Sequence, residues 1–93
     1  MNTEETKQKA YSRIKDELDK QLASGMLINI KGLKKVIAFL KKRIKLLESG
    51  TMFFARSVED VEKANLAIAS LSGELQAYQE RYSWIQKKLK ENS

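Results

Sequence analysis

The sequence predicts an all-α fold: a three-helix antiparallel bundle with helices over about residues 3–23, 30–48 and 57–91, the last long and coiled-coil-like. Three observations carry this expectation. The 93 residues contain no proline, so no ring interrupts a helical backbone, and Ser24-Gly25 and Ser49-Gly50 stand as the two clear breaks. Apolar residues recur in steps of three and four rather than alternating. A side chain able to cap a helix precedes each of the three apolar runs. A chain of this length makes one helical domain, residues 1–93, which buries only about 60–65% of its unfolded surface. A partner therefore has room to add to its stability.

For the first helix, Asn2 with Glu5 three residues later reads as a capping box. Tyr11, Ile14, Leu18 and Leu22 follow at helical spacing, and Gly25 suits the left-handed position after the helix end. The second helix starts after the cap Asn29 and ends at Ser49-Gly50. Its apolar residues Ile30, Leu33, Ile37, Leu40, Ile44 and Leu47 alternate steps of three and four, while Val36, Phe39 and Leu46 widen the stripe. A stripe that wide fits a helix packed against two neighbours. A short strand over residues 26–30 is conceivable but has no second strand to pair with.

In the third helix Ser57 caps the first turn and Asp60 takes the third position, with Glu59 and Asp60 suiting the positive end of the helix dipole. Val61, Ala64, Ile68, Leu71, Leu75, Tyr78, Tyr82, Ile85 and Leu89 then keep the heptad phase without a skip. Gly73 costs about 1 kcal/mol relative to alanine in mid-helix, but the phase passes through it unchanged. A continuous helix with a local weak point is expected. About 34 residues span roughly 50 Å against roughly 30 Å for about 20 residues, so the third helix outreaches the others.

Composition narrows the function. With 42% apolar and 32% charged residues the chain is a folding sequence, not a disordered one. It has no cysteine and no histidine, which removes thiolate nucleophiles, the commonest zinc ligands and the side chain that titrates near neutrality. No phosphate-binding glycine loop, metal-ligand cluster or nucleophile with a base is present, so the sequence predicts no enzyme, no cofactor and no metal. No apolar run approaches the roughly 18 residues of a membrane span, and the start Met1-Asn2-Thr3-Glu4-Glu5 is acidic where a signal peptide is basic. The expected location is cytoplasmic. The net charge of +6 lies wholly in residues 26–50, where seven basic residues face Glu48 alone.

Three features are candidates for function. Lys31, Lys34, Lys35, Lys41, Lys42 and Lys45 form an arc opposite the apolar stripe of the second helix, suited to a phosphate backbone, an anionic membrane or an acidic protein, and equally to solvation alone. Lysine outnumbers arginine 14 to 4, so any nucleic-acid binding is expected to be nonspecific. The connector 51–56 places Met52, Phe53 and Phe54 where loops are normally polar. These side chains either insert into a partner's groove or a membrane, or fold back to close the bundle. Near the C-terminus, Tyr78, Tyr82, Trp84, Ile85 and Leu89 combine a polar coiled-coil seam with residue types frequent at binding hot spots, unless the first helix covers them.

Together these features predict a small non-enzymatic interaction module. It binds or inhibits a target protein, or forms a homodimer, through the third helix and the tip, with Phe53, Phe54, Tyr78, Tyr82, Trp84, Ile85 and Leu89 as protein-binding residues. The alternative is a nonspecific nucleic-acid-binding protein using the six lysines. A second alternative is a peripheral membrane-binding or immunity-type protein. Size, basicity and three helices are shared by many small phage, plasmid and immunity proteins, a similarity of class only.

Overall fold

The computed structural model describes residues 2–25 and 29–91, and the regular secondary structure among them is all α-helical. Helix α1 covers Thr3–Ala23, α2 covers Ile30–Phe54 and α3 covers Val58–Glu91. Most of the conceivable strand at 26–30 lies outside the described residues; Asn29 and Ile30 instead cap and begin α2.

The caps form as the side chains dictate. Asn2 Oδ1 accepts from the backbone N–H groups of Glu4 (2.6 Å) and Glu5 (3.3 Å), and Asn29 Oδ1 from those of Lys31 (3.0 Å) and Gly32 (3.3 Å). Ser57 Oγ accepts from the Asp60 N–H at 3.2 Å, while the Asp60 carboxylate accepts from the N–H of Arg56 at 3.0 Å. Gly25 ends α1 with φ of +81°, the left-handed conformation expected of it.

The end of α2 differs from expectation. Ser49-Gly50 does not terminate it: the helix continues through Gly50 to Phe54, so the expected loop 51–56 shrinks to residues 55–57. A glycine ends a helix when it takes a positive φ, and Gly50 does not. The hydroxyl of Thr51 donates to the carbonyl of Leu47 at 2.7 Å, and the N–H of Ala55 closes the last turn on Thr51 at 3.2 Å. Ala55 then turns extended, with ψ of 129°.

Helix α3 is continuous through Gly73. Its 34 residues account for the 53 Å long dimension of the molecule at about 1.5 Å per residue. Both other helices pack on it, and no Cα of α1 approaches one of α2 within 8 Å. The two-neighbour packing expected for α2 is therefore not what forms, because α1 lies elsewhere. With Val61 at heptad position a, α2 faces Leu75 and Tyr82 at a and Gln79 at e, whereas α1 sits against Gly73 at f, Ala77 at c and Tyr78 at d. At 100° per residue those two faces are about 160° apart.

The α1 contact is close. Ile14 and Leu18 are buried with Ala77, and Tyr11 and Tyr78 pack against them. Arg13 donates to Glu74 Oε1 at 2.7 Å, and Arg81 pairs with Asp19. On the other face Lys34 lies over Tyr82, its Nζ 5.9 Å from the ring centre, and Leu33 and Leu40 are the buried residues of α2.

Candidate interaction surface

The ties between α1 and α3 fall between Gly73 and Trp84, so the other end of the molecule consists of α2 and α3 alone. There Leu46, Leu47, Gly50, Thr51, Phe54, Ala55 and Asp60 line a shallow groove across the helix–helix turn. The last turn of α2 and the first of α3 project their apolar side chains outward: Met52, Phe53, Phe54 and Val58 are 79%, 75%, 78% and 75% exposed. The fold-back of these side chains that would have closed a bundle does not occur. Because residues 51–54 are helical, their side chains radiate from the helix axis instead of curling under a loop.

The C-terminal candidates separate. Tyr78 is half-buried against the α1 cluster, and burial, followed by the neighbouring Glu74 carboxylate, pushes its phenol above the ordinary tyrosine value. The Tyr11 hydroxyl donates to Glu80; that bond, more than burial, raises its pKa too. Tyr82 is half-buried beneath Lys34 and its hydroxyl oxygen accepts from Gln86 Nε2 at 2.9 Å, and Ile85 is half-buried. Trp84 is 43% exposed, but the guanidinium of Arg81 (5.4 Å) and the ammonium of Lys88 (5.9 Å) already lie over its ring. Leu89 is exposed near the helix end. The structure thus brings Phe53 and Phe54 together at one end and leaves the tyrosines largely committed to packing within the chain.

Lys31, Lys34, Lys35, Lys41, Lys42 and Lys45 are all exposed, and none forms an ion pair with a described carboxylate. Sequence reasoning placed Phe39 and Leu46 inside, in the stripe flank. They are 59% and 62% exposed, in line with Phe53 along the outer side of α2. The stripe's width was read as two neighbours within the chain: from c through g and d to a it covers about 160°, more than α3 alone buries, and α1 does not supply the second neighbour. Arg43 beside Phe39 was also passed over.

Among the described residues, no three acidic side chains gather as a metal-ligand set, and no helix is long and apolar enough to cross a membrane. No family model, no curated protein and no solved structure matches this chain.

Proposed function

We propose that this chain is a small non-enzymatic interaction module: an antiparallel α2–α3 hairpin, braced from behind by α1, that docks on another protein and regulates or inhibits it by occupying its surface. One observation carries the reading. Met52, Phe53, Phe54 and Val58 form an exposed apolar tip on a well-capped helical turn, and folded monomers rarely expose such a patch without a use for it. Because the tip's backbone is already helical, docking does not have to order it.

Site-specific photo-crosslinking tests it. A photoreactive residue at Phe53, in cells or extracts of the native source, should give a defined adduct with one polypeptide. The same residue at Glu17, exposed on α1, should not. Adducts that are absent, or equal from both positions, would refute the docking reading.

A nonspecific nucleic-acid-binding role is the second reading, supported by the six exposed lysines without carboxylate partners. It predicts affinity for duplex DNA or RNA that falls steeply between about 50 and 200 mM salt and disappears in a Lys34→Gln, Lys41→Gln, Lys45→Gln variant. Retained binding in that variant would rule it out.

A further inference from the structure

With Ile30 at position a, Phe39, Leu46 and Phe53 occupy successive c positions of α2. Seven residues advance about 10.5 Å, so the row is about 21 Å long and drifts only about 20° per heptad. All three side chains are exposed. Basic residues frame them on both sides: Lys35 and Lys42 at f, and Arg43 at g, its guanidinium 5.9 Å from the Phe39 ring centre. No carboxylate occurs on α2 before Glu48.

We propose that this row seats an acidic amphipathic helix of a partner protein, about four turns long. Its apolar ridge packs along Phe39, Leu46 and Phe53, and its flanking carboxylates meet Lys35, Lys42 and Arg43. The proposal rests on the reading of the hairpin as a docking element and specifies what docks. Within α2 the backbone N–H and C=O groups are spent on the helix itself, so strand addition is closed and recognition runs through side chains. Side chains in a row at the helical repeat match the ridge of a second helix. The partner's negative charge follows from α2, which holds seven basic residues against one acid.

The competing occupants fit less well. A second copy brings its own +6, and pairing two α2 helices sets lysine rows against each other. An anionic bilayer reached by the tip would also meet Glu59, Asp60 and Glu62 at the start of α3. A phosphate backbone would engage the lysines and leave the apolar row without a role.

The test is calorimetric titration of the full chain with a synthetic amphipathic peptide of about 18 residues, leucines on one face and glutamates flanking them, and with its lysine-for-glutamate counterpart. The acidic peptide should bind at least about tenfold more tightly than the basic one. Leu46→Ser should weaken binding at least about tenfold without loss of helix content, since the side chain is exposed. Lys42→Glu with Arg43→Glu should reverse the preference toward the basic peptide. No binding of the acidic peptide, indifference to Leu46→Ser, or failure of the charge reversal would overturn the proposal. So would Leu46-dependent cosedimentation with phosphatidylserine vesicles, or a Leu46-dependent dimer in sedimentation equilibrium. If these fail while the Phe53 adduct persists, the partner's chemistry is wrong and the docking reading stands; loss of the adduct removes the docking reading itself.

Discussion

Gly73→Ala should destabilise the protein, against the ordinary rule for a helical glycine. Within a helix the substitution is worth about 1 kcal/mol in favour of alanine. Here a Cβ at residue 73 would overlap the carbonyl oxygen of Lys7 and lie 3.0 Å from its carbon and 3.1 Å from the Cβ of Ala10, where carbon contacts settle at about 3.5–4.0 Å. The first two obstructing atoms belong to the α1 main chain and cannot rotate aside, so α1 must withdraw by about 1 Å or more. Withdrawal loosens Ile14 and Leu18 on Ala77 and stretches the Arg13–Glu74 and Arg81–Asp19 pairs. Overpacking of this kind costs about 1–3 kcal/mol, and rigid backbone places it toward the top of that range. The net loss is about 1–2 kcal/mol, or roughly 5–10 °C in Tm for a chain of this size. Thermal melts by circular dichroism measure it, and Trp84, the only tryptophan, reports locally because it lines the α1–α3 groove with Leu22. Gly50→Ala is the control: nothing lies within 4 Å of its Cβ position, so it should stabilise by up to about 1 kcal/mol. If Gly73→Ala raises Tm as Gly50→Ala does, α1 is not seated against Gly73 and the packing argument fails.

Leu40→Ala, at a buried position on the α2 seam, should cost about 2–4 kcal/mol in urea unfolding, with a loss under 1 kcal/mol arguing against that seam. Phe54→Ser should leave stability within about 0.5 kcal/mol while removing the crosslink formed from a photoreactive residue at position 53, because the Phe54 side chain is not buried in the chain. Tyr11 and Tyr78 both ionise above the ordinary value near 10, so folding favours their neutral phenols: the stabilisation is complete below that value and lost as pH rises through the raised ones. Tyr11→Phe should therefore flatten the fall in stability above pH 10, read from urea midpoints alongside tyrosinate absorbance, and an unchanged slope would contradict the Glu80 bond.

What was legible in the sequence was mostly local. Asn2, Asn29 and Ser57 cap because each places an oxygen within reach of the next free N–H groups, a relation confined to a few residues. The dipeptide Ser-Gly was less informative: Gly25 turns left-handed after α1, yet Gly50 stays helical because Thr51 and Ala55 continue the hydrogen bonding beyond it. Gly73 was visible only as a cost, since helix propensity prices the glycine and says nothing of Lys7 lying across it. Ala69, Gly73 and Ala77 recur every four residues and leave room for a close crossing, but a row of small residues does not name the helix that crosses. The exposed row Phe39, Leu46 and Phe53 escaped for the same reason: its exposure follows from where α1 is absent.

The placement of α1 links packing to function. Had α1 packed beside α2, it would have covered Phe39 and Leu46 and used the full width of the α2 stripe. By crossing α3 at Gly73 and Ala77, on the face about 160° from the α2 seam, it stabilises α3 without touching that row. The interface holding α1 and the surface offered outward therefore have no side chain in common, with Arg13, Glu74, Asp19 and Arg81 on one and Phe39, Arg43, Leu46 and Phe53 on the other. Substitutions in the two sets lie on different helices and faces, so their stability effects should add. A surface free to change without loss of fold is what the proposed docking role requires.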